Sequence, residues 1–268
     1  MTPPDREHLH TWIGSATPDR ITVADRDLPS EIMGRLTLTE LAYLLVTRRE
    51  PTPGERRILD AVLVSLADHG LTPSALAARL TYTGAPEAVQ GAVAAGLLGA
   101  GSVFLGPTGD TAEFLDAYLE DAQRPSDAHR VTGIDDSSLR RIAEAAVDAR
   151  RAAGQRVPGL GHPVHRDEDP RTPRLYALAA EEGLLGSHLR LLELVADVHA
   201  ERSGRHLPIN GAGAAGAALA DIGVPPASAR GFALIARTAG LVAHLAEEAE
   251  DPIGRSLWLD AEPQAGDA

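Results

Sequence analysis

The chain has 268 residues, enough to bury the core of one large domain or of a large domain with a smaller companion. Hydrophobic residues make up 44% of it and aromatic residues only 3%, so the core must consist mainly of Leu, Ala, Val and Ile, which suits closely packed helices. A formal net charge of -13 argues against a general nucleic-acid binder, because phosphate contacts require clustered positive charge.

Cysteine is absent, which excludes disulfides and thiolate nucleophiles and is typical of a protein in a reducing compartment. The N-terminal segment lacks a charged start followed by an apolar run, and no apolar stretch is long enough to span a membrane. We therefore expect a soluble, cytoplasmic protein that has no membrane partner.

The predicted elements begin with a short β-hairpin between Ile13 and Asp27, where β-branched residues flank a Thr-Pro-Asp turn signal. Apolar residues at helical spacing, divided by Gly and Pro, then predict about ten helices. These are Thr39–Thr47, Pro53–Leu66, Ser74–Leu80, Pro86–Leu98, Thr111–Ala122, Ser137–Ala152, Pro170–Glu182, Ser187–Arg202, Gly213–Ile222 and Ala227–Glu248. The Ala/Gly-rich stretch Gly211–Ala220 predicts a helix packed closely against a neighbour. The sequence thus predicts an all-α protein.

The segment Gly154–Arg171 interrupts the helical pattern with Gly, Pro, His, Arg and acidic residues. Gly159 and Gly161 would let the backbone approach a ligand closely. His162 follows directly and is suited to donate a hydrogen bond to a carbonyl or alkoxide oxygen. A loop of this composition indicates a binding or catalytic function.

The two arginines of this segment, Arg166 and Arg171, offer forked donors for a phosphate or a carboxylate. By composition alone, the segment is equally compatible with a surface loop in which Asp169 and Pro170 begin a helix.

The residues Val157–Arg171 resemble the histidine-bearing coenzyme A loop of the citrate synthase superfamily, in which Gly-x-Gly-His is followed seven residues on by Asp-Pro-Arg. Ala67–Gly70 resembles the family segment whose His contacts the dicarboxylate substrate, and Arg237–His244 resembles its Arg-x-x-Gly-x-x-x-His helix. Arg255 lies where the family has a late arginine, which often reaches into the neighbouring subunit. These ordered matches cover most of the chain. The resemblance is closest to short citryl-CoA lyase-like proteins, including the lyase part of ATP-citrate lyase.

This resemblance implies a citrate synthase-like fold with a large helical domain, residues 1–105 and 212–268, and a small helical domain, residues 106–211, that closes over coenzyme A. It implies a homodimer or a higher oligomer, no permanently bound cofactor, and a coenzyme A thioester and a di- or tricarboxylate as ligands. The implied reaction is of the Claisen type, either cleavage of citryl-CoA to acetyl-CoA and oxaloacetate or a related lyase or synthase reaction. No metal is predicted, because no His-x-x-x-His or Glu-x-x-His pair lies on a predicted helix face.

The resemblance also implies residue roles. His162 would polarise the keto oxygen or the citrate hydroxyl, and His69 would take part in catalysis while binding a carboxylate. The residues that bind substrate carboxylates would be His69, Arg171, Arg237 and Arg255. The residues that bind coenzyme A would be Pro158, Gly159, Leu160, Gly161 and Arg166.

Several positions depart from the family's proton-transfer machinery. Ala212 stands where the family has its catalytic Asp, in a segment that matches Asn-Val-Asp-Gly, and Phe104 stands where citrate synthase has the His that stabilises the enolate. Citryl-CoA lyases take that His from the segment after Ala-Asp-His-Gly, where this chain has Ala77. Because Ala cannot transfer a proton, another group is the base, the reaction differs, or the protein binds without turnover.

Four residues near the matching segments are candidates for the missing base: Asp68, Asp110, His165 and Glu247. The alternative function is a catalytically impaired family member that binds an acyl-CoA or a polycarboxylate in a regulatory role. A third alternative is a helical scaffold that keeps only the dimer.

Some of these residues also have purely structural explanations. His69 could end a helix, where a cation is favourable. His244 lies mid-helix between apolar neighbours and is interpreted as a packing or hydrogen-bonding residue. Arg237, if buried, needs an anionic partner, which is either a ligand carboxylate or one of Asp221 and Glu247.

Overall fold

The structure is a computed structural model that describes residues 11–123 and 135–261. The chain divides into two compact units, Met1–Arg56 and Arg57–Ala268. The large and small domains that the resemblance implies, with boundaries at residues 105/106 and 211/212, are a different division and stay a prediction.

The first unit contains the predicted hairpin, extended by a third strand. Strand β1 (Gly14–Ala16) pairs antiparallel with β2 (Ile21–Val23), and β2 pairs antiparallel with β3 (Arg26–Asp27). Ala24 and Asp25, which join β2 to β3, have φ values of 51° and 61°, as the central residues of a type I′ hairpin turn do. The second hairpin could not be predicted, because Ala rarely adopts a positive φ.

One π-helical turn, Leu28–Ile32, and helix α1, Leu38–Thr47, follow in this unit. Thr37 caps α1 by accepting a hydrogen bond from the backbone N–H of Glu40. The Glu40 carboxylate accepts one from the Thr37 N–H in return. This reciprocal capping box explains why α1 begins where it does.

Ten further α-helices lie in the described part of the chain. They are α2 (Pro53–Ala67), α3 (Pro73–Gly84), α4 (Val89–Phe104), α5 (Gly106–Gln123), α6 (Asp136–Ala152), α7 (Arg171–Glu181), α8 (Ser187–Ser203), α9 (Gly211–Asp221), α10 (Pro226–Glu250) and α11 (Gly254–Ala261). The predicted all-α class and all ten predicted helices are confirmed. Helix α11 was not predicted, because it is short and its apolar residues are largely exposed.

Two helix boundaries near the later site differ from the prediction because glycines lie inside the helices. Helix α5 begins at Gly106 rather than Thr111, since Gly106, Pro107 and Gly109 resemble a turn in sequence. Helix α4 continues to Phe104 but is kinked at Gly101, whose φ of 52° and ψ of -153° are accessible to glycine at low cost.

Small residues bring α9 very close to α5 and to the segment before α7. A Cβ atom on Gly216 would overlap the carbonyl oxygen of Thr108 in α5, and one on Gly213 would lie 2.5 Å from the Cα of Gly159. The close packing predicted from the Ala/Gly-rich stretch is therefore confirmed. It holds the N-terminal end of α9 against the predicted binding loop.

The end of α9 is tied to the start of α8 by Asp221. Its carboxylate accepts hydrogen bonds from the backbone N–H groups of Gly186, His188 and Leu189 at 2.9–3.1 Å. It also contacts Nδ1 of His188 at 2.9 Å, while Nε2 of His188 lies 3.4 Å from Asp116. Burial by itself would lower the pKa of His188, but the two carboxylates outweigh it and raise that pKa above 6.5.

We expect His188→Gln to lose more stability at low than at high pH. A raised pKa in the folded state means that the stabilisation by His188 is complete below its ordinary pKa of 6.5 and is lost as the pH rises through the folded value. Urea unfolding of both proteins at about pH 6 and about pH 9 measures this. A stability difference that is equal at the two pH values would contradict it.

No single helix among the described residues is long and apolar enough to cross a membrane. Helix α4 and the segment Gly106–Asp121 together have the length and the apolar composition of a membrane span, but they are bent by 42° relative to each other.

Candidate active site

A cavity of about 1330 Å³ lies among the ends of several helices and the Gly154–Arg171 segment in the second unit. Most of the predicted site residues line it: His69, Pro158, Gly159, Leu160, Gly161, His162, Arg171 and Arg237. Two predicted site residues in the described part of the chain, Arg166 and Arg255, are not among the residues that line it. The cavity therefore brings together three segments that are far apart in sequence.

The glycine loop is fixed to the segment before α9 by main-chain pairing. Gly161 donates its N–H to the carbonyl of Pro208 at 2.7 Å, and Asn210 donates its N–H to the carbonyl of Gly159 at 2.9 Å. The Asn210 side-chain amide donates to the Gly161 carbonyl at 2.9 Å. Gly159 and Gly161 have φ values of 81° and 80°, a backbone conformation that is strained for any residue with a Cβ atom. The positions of both glycines are thus required by the backbone itself.

The ring of His162 is held in one tautomer by its own loop. Its Nδ1 accepts hydrogen bonds from the backbone N–H groups of Val164, at 3.1 Å, and His165, at 3.0 Å. Nε2 of the neutral ring therefore carries the proton and is a donor. Burial, the largest cause, lowers the pKa of His162 despite the opposing charge of Asp169, and the lowered pKa favours the neutral ring.

Three imidazole rings meet at this point, which the sequence did not predict. The ring centroids of His162 and His165 are 4.5 Å apart. The ring centroid of His69 lies 5.4 Å from that of His162 and 5.5 Å from that of His165. One ring nitrogen from each lies within 4.8 Å of the others. Because Nδ1 of His162 is already an acceptor and its Nε2 carries a proton, the cluster does not offer three free lone pairs, so a three-histidine metal site does not fit it.

Arg171 is fixed at the cavity wall by a buried carboxylate. Asp169 is fully buried and accepts hydrogen bonds from Nε of Arg171 at 2.9 Å, from its Nη2 at 2.7 Å and from the Gly211 N–H at 2.7 Å. Burial would raise the pKa of Asp169, but these donors hold it well below its usual range. The Asp-Pro-Arg motif therefore builds a bidentate pair that orients Arg171.

Among the described residues, Arg237 is buried without a hydrogen-bonded anionic partner. It is only 8% exposed, and within the described residues its Nε and Nη1 have no hydrogen-bond partner. Burial, despite the opposing charge of Asp68, lowers the pKa of Arg237. The two protein partners considered above are engaged elsewhere: Asp221 binds the start of α8, and Glu247 pairs with Arg79. A buried guanidinium of this kind is expected to bind an anionic ligand.

A second buried arginine, Arg79 of α3, was missed by the sequence analysis. It donates from Nη1 to Glu248 at 3.0 Å and from Nε to Nδ1 of His244 at 3.1 Å. Nε2 of His244 then donates to Asp68 at 2.8 Å, and Asp68 accepts the N–H of Gly70 at 2.8 Å. His244 is thus the hydrogen-bonding residue that was predicted, and it holds the turn that carries His69.

Basic and aromatic residues at another part of the wall were also missed. Arg150 and Arg156 line the cavity, and the guanidinium of Arg150 lies 5.1 Å from the ring centroid of Phe114. The Phe114 ring is 5.4 Å from that of Tyr118. In sequence, Arg150 belongs to the polar face of a predicted helix and Arg156 to the loop that follows it. Their position on one cavity wall therefore could not be predicted.

Of the three positions that depart from the family pattern, two line the cavity and one does not. Ala212 and Phe104 line the cavity, so neither offers a titratable group there. Ala77 instead packs against α4: a Cβ atom added to Gly99 of α4 would lie 2.9 Å from the Cβ of Ala77.

Together the buried arginines, the neutral imidazole donor and the glycine loop define a helical protein with a cavity lined by cationic groups and hydrogen-bond donors. The chain belongs to the citrate synthase family: the family model described as "Citrate synthase, C-terminal domain" matches residues 20–257. The recognised superfamily and the citrate synthase-like fold are therefore confirmed.

Among solved structures, the chain is similar to a citryl-CoA lyase from Hydrogenobacter thermophilus, with 30% identity over 90% of this chain and 87% of that one and a TM-score of 0.77. An ATP citrate lyase from Methanosaeta concilii, solved with (3S)-citryl-CoA, shares the fold at 19% identity over 91% of this chain and 39% of that one, with a TM-score of 0.70. A protein named "Putative citrate synthase 2" from Mycobacterium tuberculosis is 31% identical over 58% of this chain. The match spans 37% of the length of that curated relative.

Proposed function

We propose that the protein is an acyl-CoA carbon–carbon lyase or synthase of the citryl-CoA lyase type. The observation that carries the proposal is the buried guanidinium of Arg237, whose Nε and Nη1 have no hydrogen-bond partner among the described residues and which lines the same cavity as the neutral donor His162. The Hydrogenobacter thermophilus relative, a citryl-CoA lyase, supports this choice because the match covers most of both chains.

The carboxylates of citrate or oxaloacetate would bind at the arginine end of the cavity. Arg237 supplies unsatisfied donors, and Arg171 is preoriented by Asp169. His69 stands beside both His162 and His165 and lines the cavity. In this proposal Arg255 contributes to the carboxylate site from a neighbouring subunit, since it does not line the cavity of its own chain.

Coenzyme A would bind along the glycine loop. The loop residues Pro158, Gly159, Leu160 and Gly161 line the cavity with backbone that lies close to the open space. Arg150 and Arg156 would bind phosphates of the nucleotide, with Arg166 as a further contact at the rim. Phe114 is buried beneath Arg150, so the half-buried Tyr118 beside it, which also lines the cavity, would contact the base or the pantetheine arm.

In the cleavage direction, the Nε2–H of His162 would donate to the hydroxyl oxygen of citryl-CoA as that oxygen becomes a carbonyl. The bond between the carbinol carbon and the thioester α-carbon breaks, and its electron pair forms the thioester enolate. The hydroxyl proton is released, and one proton is added to the α-carbon. His162 remains a neutral donor throughout, because its Nδ1 is held by two backbone N–H groups.

We further propose a cytoplasmic homodimer or higher oligomer. Apolar side chains on α4 and α11 are exposed, with Leu98 at 81% and Trp258 at 58%, and a second copy of the chain would cover them. The molar mass in sedimentation equilibrium tests this, and a monomer at micromolar concentration would contradict it.

The function is tested by incubating the protein with citryl-CoA, and separately with oxaloacetate plus acetyl-CoA, while the thioesters are separated and quantified. We expect one thioester to be converted into the other and expect His162→Ala to lower the rate by a factor of about 10²–10³, because one oxyanion donor is lost. The exposed His206→Ala is the matched control and should leave the rate unchanged.

Coenzyme A binding without conversion of either thioester would favour the alternative, a catalytically impaired family member that binds acyl-CoA or polycarboxylate in a regulatory role. If the protein binds neither coenzyme A thioesters nor citrate, both functions are wrong and the scaffold alternative is favoured. Isothermal titration with coenzyme A and with citrate separates these outcomes.

A further inference from the structure

The proposed reaction needs a group that exchanges a proton with the acyl α-carbon, and the position expected for it is occupied by Ala212. We propose that Asp110 of α5 is that group. This inference rests on the proposed function, and it names the residue that completes its proton transfer.

Three of the four candidate bases are poorly placed for this task. The Asp68 carboxylate is bonded to His244 and to the Gly70 N–H, and Glu247 is paired with Arg79 at the side of α10. His165 stacks on His162 but is not among the residues that line the cavity. Only Asp110 of the four does line it.

The surroundings of Asp110 leave its carboxylate open to a ligand. It is exposed, and no hydrogen bond or ion pair to it occurs within the described residues. A Cβ atom on Gly106, one turn earlier in α5, would lie 3.2 Å from Oδ2 of Asp110, so the glycine leaves room for this carboxylate. The carboxylate is thus placed beside the α4–α5 junction rather than against protein donors.

Asp110 also lies on the part of α5 that reaches the other reacting groups. Thr111, the next residue, is the side chain that a Cβ on Gly159 would touch at 3.0 Å, and Thr108, two residues earlier, packs against Gly216 of α9. Phe104, at the position of the citrate synthase enolate histidine, ends α4 two residues before this helix begins. Asp110 therefore lines the same cavity as Phe104, the glycine loop and Ala212, at the junction of α4 and α5.

A second carboxylate, Glu113, lines the cavity about one turn further along α5. It is next to Phe114, over which Arg150 lies, and so belongs to the end of the cavity that carries the arginines Arg150 and Arg156. Because Glu113 lies at the proposed coenzyme A end, the matched control for Asp110 is Glu120, an exposed carboxylate of the same helix that is not among the residues that line the cavity.

The proton balance closes with Asp110 in this role. In synthesis the Asp110 carboxylate takes a proton from the thioester methyl group, and the resulting electron pair forms the bond to the keto carbon. The keto oxygen, hydrogen-bonded by Nε2–H of His162, takes a proton from water and becomes the hydroxyl. In cleavage the hydroxyl returns its proton to water, the carbon–carbon bond breaks, and protonated Asp110 gives its proton to the α-carbon.

The test is exchange of the acetyl methyl protons of acetyl-CoA in D₂O, followed by NMR with the full-length protein and oxaloacetate present, alongside citryl-CoA cleavage. We expect Asp110→Asn to lower both rates by a factor of about 10²–10⁴ while coenzyme A binding stays unchanged. Glu120→Gln should behave like the unaltered protein. Ala212→Asp in the Asp110→Asn background should recover part of the exchange, because it returns a carboxylate to the cavity wall.

The outcomes separate this inference from the function on which it rests. Unimpaired exchange in Asp110→Asn, or an equal loss in Glu120→Gln, would overturn the role of Asp110 but not the lyase reaction. An unaltered protein that binds acetyl-CoA yet never exchanges its methyl protons would also overturn it. Failure to bind any coenzyme A thioester would instead contradict the proposed function.

Discussion

Replacing Arg237 with methionine is expected to make the unliganded protein more stable by about 1–3 kcal/mol and to abolish its stabilisation by citrate. A buried donor that lacks a partner costs roughly 1–3 kcal/mol, and an apolar side chain of similar length removes that cost. Nε and Nη1 of Arg237 have no hydrogen-bond partner within the described residues, so the substitution breaks no bond to them. Urea unfolding with and without citrate measures both effects.

A ligand that binds only the folded protein stabilises it by about 2.7 kcal/mol at a hundred times its dissociation constant, so the citrate effect is large enough to measure. The matched control is Arg230→Met, because Arg230 is an exposed arginine on the same helix and its loss should change stability by less than about 0.5 kcal/mol. If Arg237→Met were destabilised, or were still stabilised by citrate, Arg237 would not be an anion-binding residue.

Replacing Arg79 with methionine is expected to lower the free energy of unfolding by about 3–5 kcal/mol, a change opposite in sign to that of Arg237→Met and larger. Arg79 is 1% exposed and satisfies Glu248, which is 3% exposed, together with Nδ1 of His244. Without it the Glu248 carboxylate loses its cationic partner and keeps only neutral donors, including the backbone N–H groups of Ile253 and Gly254. Nδ1 of His244, which holds the Asp68 turn before His69, loses its donor as well. Chemical denaturation gives the loss in unfolding free energy.

The other acidic partner of Arg79 provides the control. The Glu247 side chain is 65% exposed, so Glu247→Gln should cost no more than about 1 kcal/mol. Adding Glu248→Gln to Arg79→Met should recover part of the loss, because the uncompensated charge is then removed. Equal effects of the Arg79 and Glu247 substitutions would show that the buried network contributes little.

These two arginines also show where sequence reasoning reached its limit. Arg237 was predicted at the site because it belongs to a motif, whereas Arg79 belongs to none and lies in a helix whose other residues gave no sign of a buried charge. Its partners Glu248 and His244 are more than 160 residues away in sequence. Periodicity identifies the buried face of a helix but not which distant element will supply a counter-charge to it.

The histidines give the same lesson in the other direction. His69 and His162 were predicted through the resemblance, but His165 was only one of several candidate bases and proves to stack on His162. The turn that brings these two rings together is made by the backbone N–H groups of Val164 and His165, which bond to the His162 ring itself. Local sequence could suggest such a turn but could not orient the rings.

The sequence by itself determined the helices, their caps and the glycine loop, because these depend on residues within a few positions of one another. Asp135 caps α6 and Asn210 caps α9 through such short-range bonds, and Gly159 is required by its own φ angle. Only the tertiary structure decided that Nε and Nη1 of Arg237 have no hydrogen-bond partner among the described residues and that Asp110 lines the cavity. Those properties depend on which elements pack together, and packing is a property of the whole chain rather than of any segment.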